Sequence, residues 1–503
     1  MPGKPLLLES RTDFRGGLNT IVNPDLLNAN ELVNATNARL SAEHASIMKR
    51  TGTQRIHPTT LESGATVRGV FQWDSPGGKE VVAIAGGKLH HKTSALGDFT
   101  TVASPATFST TLPTYFSQFR STSASAAIVL YMASGGNVYS WDGTTLTEID
   151  GTNTIPTAQL LQPYHTRMFY GNITTLPKHL VWTKVGDATD ADTGGATDGG
   201  TAIIDVLSGE GINGMQLIGS SLAISTEDSI VRFTGYSNED INISQDTQGI
   251  SAETGPVGGL AFIRAESIGF ILSDRGPYLV QESGIEPIGV KVEPEFDAAD
   301  RSVITSSVLG YHRGRREIWF GVAGSGDSGV NKTVYIYSLR LQSWTGPFTY
   351  SDAITSLTRY EDASGDEWLI AGGDDGFVRH MDIGVKDDVL SDSSGGDTVT
   401  MTVELAPLFF EPGPGIIKSL DTMMIQADLP TNSALVIQHA FDGDSFTAET
   451  ALTGKNNSIA EPYRQDLANQ GNRLRLRFVD AGTDIPIIKG FQLTAFNMQR
   501  FRV

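Results

Sequence analysis

Several short motifs in this chain have the residue types for chemistry. Gly209-Glu210-Gly211-Ile212-Asn213-Gly214 spells GxGxxG. In a dinucleotide site that pattern lies between a strand and a helix, so that pyrophosphate meets the helix N-terminus. Here β-type runs flank it on both sides, which predicts a turn between strands. Gly326-Asp327-Ser328-Gly329 has the letters of a serine-protease nucleophile loop. No matching His segment lies upstream, and a triad is defined by geometry and partners, so a hairpin loop is expected. Asp187, Asp190, Asp192 and Asp198 sit in a Gly/Thr-rich loop. Calcium loops use such oxygens, but the twelfth position from Asp190 is Thr201, not an acid. A solvated loop is expected, with a structural ion or a partner-facing loop as alternatives. His90 and His91 are adjacent and on a strand point to opposite faces. Asp442 and Asp444 would share a face, yet Asp442-Gly443 reads better as a turn. Propeller glycosidases use paired carboxylates, and among 57 acidic residues no pair stands out. Catalytic residues, cofactors and metals are therefore not predicted.

Arg473, Arg475 and Arg477 are a different kind of feature. On a strand they form one face, with Leu474, Leu476 and Phe478 on the other. Three cations in a row on an acidic protein suggest an interface with an acidic partner, first of all a neighbouring subunit. The alternative is a solvated face whose charges pair with local Asp or Glu.

The bulk numbers set limits on these readings. A chain of 503 residues has room for about three domains. It has no cysteine, which removes disulfides, thiolate metal sites and cysteine nucleophiles. It fits assembly in a reducing cytoplasm. The opening Met-Pro-Gly-Lys-Pro and three leucines are too short for a signal peptide's apolar region. No run reaches the roughly 18 apolar residues of a membrane span, so a soluble chain without membrane insertion is expected. Net charge is −20, which disfavours tight phosphate binding. For a conduit through which DNA slides, such repulsion is useful; solubility alone also explains it.

The elements that position these residues are strands. The 55 Gly and 21 Pro, with abundant Thr, Ser, Val and Ile, indicate short strands and tight turns. From residue 67 to 382 a loose unit recurs: an apolar strand, a Gly/Asp/Asn turn, and a second strand rich in Val, Tyr, Phe or Trp. Its copies begin at Val81, Ile128, Met168 (weaker), Leu222, Gly269, Ile318 and Trp368. Units of about 45 residues with several strands each indicate a β-propeller. One blade cannot bury both faces alone, whereas radial packing buries each against the next. The weak third unit leaves six or seven blades open, and two stacked β-sandwiches are the alternative fold. Residues 383–397, with Lys386-Asp387-Asp388 and a Ser/Gly/Asp run, read as a polar linker. Residues 398–503 alternate in the manner of a C-terminal β-sandwich. Residues 1–66 read as an extended docking segment, with a short helix capped by Asn28 or Asn30 and a thin apolar stripe of Leu32, Val33 and Ala35. The fold class is therefore all-β, a β-propeller followed by a β-sandwich.

The opening also carries a resemblance. Phe14-x-Gly16-Gly17-Leu18-Asn19-Thr20, a Pro-x-Leu-Leu and Asn-Glu stretch, and Lys49-Arg50-Thr51-Gly52 resemble the start of the tail-nozzle (tail tubular protein B) family of short-tailed bacteriophages. That family usually has Arg-Pro-Gly where this chain has Arg50-Thr51-Gly52. The resemblance continues at Gly211–Gly214, Ser229–Gly235, Phe270–Tyr278, Ile416–Leu420 and Asn472–Arg477, as soft motifs in a fixed order. It implies a non-enzymatic virion protein, assembled in the host cytoplasm into a homohexameric ring at the distal end of a short tail. Such a ring docks on a tail adaptor and in some cases on tail fibres. It closes and guides the channel for passing DNA, which it does not bind specifically. The competing readings are a receptor- or glycan-binding propeller of a tail fibre, a polysaccharide-degrading propeller enzyme, and a cellular scaffold.

Overall fold

The computed structural model describes residues 6–497, apart from 93–96, 103–107, 122–126, 150–154, 206–210, 246–247, 363, 391–393, 411–416, 455–461 and 468. Gly209 and Ile416, each part of a motif above, lie outside the described residues.

Each repeated unit is the middle of a four-stranded antiparallel sheet. Blade 1 comprises Val67–Ser75, Gly78–Ala85, Lys88–Lys92 and Thr100–Thr101. Blades 2 to 5 follow the same order and begin at Tyr115–Arg120, Ala158–Tyr164, Gly214–Ile218 and Phe262–Ala265. Blade 6 is Val308–His312, Glu317–Val322, Thr333–Ser338 and Ser343–Thr349. Blade 7 begins with Ile354–Glu361, Glu367–Gly373 and Val378–Met381. The first strands of successive blades contact one another, and that of blade 7 contacts that of blade 1. Six of these sheets stand alone, and the seventh, blade 6, is continuous with a larger sheet. The ring therefore has seven blades. Met168–Gly171 and Leu180–Trp182, the weak third unit, belong to blade 3, whose last two strands are separated by the long Asp-bearing loop.

The hydrophobic alternation becomes the packing between blades. Trp73, Val82, Ile84, Leu130, Met132 and Trp141 form one cluster between blades 1 and 2. Val308, Trp319, Ile336, Leu369 and Met381 form another between blades 6 and 7. The second strands are nearly all buried, because both their faces are covered.

The first 55 residues depart from the sequence reading. Glu31–Thr36 is a strand, not a helix. It pairs with Met401–Leu405 and, through Ala35 and Gly346, with the last strand of blade 6. Sheet hydrogen bonds from two partners outweigh a weak helical stripe here. The one cap in this stretch is Asn23, whose Oδ1 accepts the Asp25 N–H (3.1 Å) at a single 3-10 turn, Pro24–Leu26.

The C-terminal sandwich borrows strands from this segment. Its first sheet contains Leu6–Arg11, Ala38–Leu40 and Ile47–Lys49 alongside Lys418–Asp428 and Ile487–Asn497. Its second contains Glu31–Thr36 beside Met401–Leu405, Leu474–Asp480 and Ala434–Phe441. Phe14, Leu32, Ala38 and Ile47 share one core with Val403, Leu476, Phe478 and Leu493. Thr53–Arg55 then pairs with Val378–Met381 as the fourth strand of blade 7. Chain residues from opposite ends of the propeller thus close the ring.

The polar stretch read as a linker is part of the same assembly. Lys386–Asp387 pairs with Asp397–Thr398, and the Val389 N–H donates to Thr53 O (3.0 Å). Asp387 is buried. Its polarity serves buried cations rather than solvent.

Phe478 is fully buried at the sandwich centre. Phe478→Ala is expected to cost about 3–5 kcal/mol. Ile203, at 54% exposure on the outer strand of blade 3, changed to Ser should alter stability by no more than about 0.5 kcal/mol. Urea unfolding checks both.

Candidate functional site

The residues of the opening motif converge on one junction between blade 6, blade 7 and the sandwich. Phe14 enters the sandwich core, while Leu18 joins the propeller core with Phe296, Phe320 and Trp344. Between them a Cβ on Gly16 would lie 2.7 Å from Asn30 O, and one on Gly17, whose φ is +72°, 2.5 Å from Trp344 O. Only glycine lets the chain cross at this closeness. Asn19 Nδ2 donates to Glu31 Oε1 (3.0 Å), and Glu31 also pairs with Lys291 at 2.9 Å.

The stretch from Asn37 to Arg55 is a row of buried polar groups. Asn37, in the left-handed region at φ +52°, accepts from Arg50 Nε (2.8 Å) and the Thr349 N–H (2.9 Å) and donates to Thr400 O (2.9 Å). Arg39 pairs with Asp382 and with Glu317 (3.3 Å). Asp382 also receives Arg315, the Thr51 hydroxyl and His312 (3.1 Å). Lys49 and Asp480 are both fully buried and 2.7 Å apart. The Lys49 ammonium donates further to Gly482 O at 2.6 Å. Arg50 grips Asp387 with both terminal nitrogens, donates to Thr349 O (2.6 Å) and lies 4.3 Å from the Tyr350 ring centroid. Arg55 grips Asp388, which also takes Arg379 Nε at 2.8 Å. Gly52 passes so close to blade 7's exit that a Cβ would sit 1.7 Å from Lys386 O.

Burial alone would raise the Asp382 carboxyl. The cations Arg39 and Arg315, with His312, more than reverse this and hold it far below the usual carboxylate range. The sequence pattern marked Arg50 and Gly52 but not their partners. Asp387 and Asp388 looked like linker charges, and Asp382 carried no signal beyond its place after blade 7.

His57, just past the closing strand, is fully buried. Its Nε2 accepts the Val378 N–H (2.8 Å), and its Nδ1 lies 2.6 Å from Thr59 O. That pairing fits the neutral ring with its proton on Nδ1. Burial pushes this histidine down to about 4 against the Thr59 carbonyl's opposing pull. His380 is likewise pushed down to about 4 by burial, against Asp382 and Asp362.

The other sequence candidates are placed as follows. Arg473 pairs with Asp25, Arg477 pairs with Glu404 (2.6 Å), and Arg475 Nη2 donates to Asp444 O (2.6 Å). The Arg475 and Arg477 guanidiniums also cover Phe446, at 4.7 and 3.9 Å. The row therefore has partners within the chain. Asp190 holds Lys184 (2.8 Å), and Asp198 accepts the Gly195 N–H (2.6 Å). Among the described residues no group of three possible metal ligands occurs. His90 faces Glu62 and His91 faces Glu80, on opposite sides. Gly214 opens a strand, Gly211 abuts Pro177, and Asp327 accepts from the Gly324 N–H and Thr333 hydroxyl, both at 2.8 Å. Asp442 sits in a turn at φ +55°.

The second feature is a funnel of about 710 Å³ where the innermost strands begin, lined from all seven blades. Among its lining residues the only carboxylate is Asp374 and the only cation Arg68. Tyr115 of blade 2 reaches across it. A Cβ on Gly259, which leads into blade 5, would lie 2.1 Å from Tyr115 Oη.

No protein-family model matches this chain, and no curated protein does. Among solved structures it is similar to BBS1N in complex with ARL6DN, at 10% identity and TM-score 0.43 over 66% of this chain and 98% of that one. The N-terminal domain of Nup159 gives 11% identity and TM-score 0.38, over 69% and 98% of the two chains. An exo-β-1,3-galactanase from Phanerochaete chrysosporium gives 9% identity and TM-score 0.28, over 89% and 100%. Likenesses this faint carry no functional argument, and the propeller rests on its own strand pairing.

Gly52→Ala is expected to cost about 2–4 kcal/mol in urea unfolding, because the displaced atom is backbone. For His57 and His380 the folded state resists protonation. Their contribution is full above an unfolded value of 6.5 and is lost as pH falls toward about 4. Stability should therefore decline across that window. His57→Gln, which keeps an acceptor and a donor but does not titrate, should flatten the slope in pH-dependent melting.

Proposed function

We propose that this chain is a non-catalytic structural subunit of a phage tail, of the nozzle type. One observation supports the reading above all. The residues of the resembling motif, Phe14, Gly16, Gly17, Asn19, Arg50 and Gly52, all serve to fix the propeller against the sandwich. A protein that transmits force between neighbours in a ring requires such a rigid join.

In this reading DNA does not pass along the propeller axis. Tyr115 spans that axis, and the channel belongs between subunits, whose net charge of −20 each repels phosphate. A closed ring needs two different, complementary faces on each subunit. Immunogold electron microscopy of phage particles tests the proposal. Label at the distal tip of a short tail is expected, and particles without label would overturn it.

A second reading, a polysaccharide-degrading propeller, has one feature in its favour: the funnel's hydroxyl- and amide-rich lining. Glycoside hydrolysis normally needs two carboxylates about 5–9.5 Å apart, and Asp374 stands alone among the lining residues. Incubation with a panel of bacterial polysaccharides should release no reducing ends. Release abolished by Asp374→Asn would replace the structural reading with the enzymatic one.

A further inference from the structure

We propose that the funnel is a binding site for a neutral, hydroxyl-rich ligand, a short saccharide held by its hydroxyl groups without being cleaved. The volume of about 710 Å³ lies within the range of about 300–1,000 Å³ usual for small-molecule sites.

The chemistry of the lining selects the class. Gln159, Asn172 and Asn213 present amides, and Thr305, Ser306 and Thr355 present hydroxyls, of which Ser306 and Thr355 already donate to Val303 O (2.7 Å) and Val67 O (2.6 Å) and are left to accept. Amides and hydroxyls each donate and accept, as a sugar hydroxyl does. A phosphate or carboxylate ligand would need an excess of cations, and the lining offers one cation, Arg68, against one carboxylate, Asp374. Asp374 is engaged, accepting the Ala353 N–H at 3.2 Å.

Some of these groups are committed to the wall and others are not. Asn213 donates to Pro256 O (2.7 Å) and accepts from Ser225 Oγ (2.8 Å), which fixes blade 4. Asn331 Nδ2 donates to Ser306 O (2.6 Å) and Ile354 O (3.3 Å), which ties blade 6 to blade 7. By contrast, Asn172 Nδ2 donates to Gln159 Oε1 (2.8 Å). This leaves Asn172 Oδ1 and Gln159 Nε2 as an acceptor and a donor side by side. Asn172 is held there by a left-handed backbone at φ +50° within its strand.

Tyr115 is the second, independent observation. Its half-buried side chain lines the funnel, and its hydroxyl makes no hydrogen bond to the described residues. Burial raises its pKa. A ligand hydroxyl in the funnel would meet this phenol as either a donor or an acceptor. Gly259 leaves the space this hydroxyl occupies.

The inference does not depend on the tail reading. A tail protein that ignores sugars fails here alone, and a sugar binder absent from virions fails there alone. Saturation-transfer NMR on the full chain tests it, with maltotriose, cellotriose and chitotriose as neutral probes, trigalacturonate as the charged probe and tetraglycine as the peptide probe. Saturable binding of at least one neutral trisaccharide is expected, weakened roughly tenfold by Tyr115→Phe, which removes one hydroxyl. Melting of each variant verifies folding, and Gln159→Ala carries the same expectation should Y115F not fold. Three results overturn the proposal: no saturable binding at millimolar probe, binding unchanged in the folded variants, or preferential binding of trigalacturonate or tetraglycine.

Discussion

The buried charge cluster around Asp382 and Asp387 is the constraint on which the rest of the molecule depends. Burying Arg39, Lys49 and Arg50 strips each of water at a cost of several kcal/mol. That cost is offset only where every charge meets its partner with good geometry, as Arg50 does on Asp387 and Lys49 on Asp480. Such a network contributes little net stability over an apolar join. Its value lies in tolerating no alternative register. A slip of one residue in the stretch from Asn37 to Arg55 would leave several cations buried without anions, and Gly52 would no longer face Lys386.

From that registration follow both domains. The segment before blade 1 supplies strands to both sheets of the sandwich and the closing strand of blade 7. The ring cannot close, nor the sandwich complete its core, until residues some hundreds of positions apart in sequence have met. Long-range pairings of this kind are slow to form, and they couple the two domains into one structural unit. Thr51 fits this picture. Its hydroxyl donates to Asp382, a bond that a proline at this position does not supply.

The funnel where the innermost strands begin follows from seven-fold closure. Seven strands converge without meeting, and their side chains must fill or bridge the axis. Tyr115 bridges it, its hydroxyl reaching Gly259 ahead of blade 5. The two features differ in chemistry: the junction is charged and closed, whereas the funnel lining has one cation against one carboxylate and is open.

Much of the fold was legible in the sequence. The seven apolar strand pairs between Val81 and His380 each became the middle of a blade, because strands covered on both faces must be apolar along their length. The alternation of Leu474, Leu476 and Phe478 with Arg475 and Arg477 also survived, since one face of that strand is core. Three things were not legible. Leu32, Val33 and Ala35 carried a weak helical stripe, and only two sheet partners distant in sequence decided for a strand. Asp387 and Asp388 read as solvated linker, because nothing local distinguishes a charge that meets water from one that meets Arg50. The arginine row at Arg473 left open a partner surface or pairing with acids of the chain, and which acids pair with it, Asp25 and Glu404, was hidden because they lie far away in the chain. The sequence by itself determined which residues had to be buried and with what periodicity, a property of each strand alone. Only the tertiary structure decided where charges find their partners, because Coulombic pairing and desolvation depend on distances between segments that local pattern does not encode.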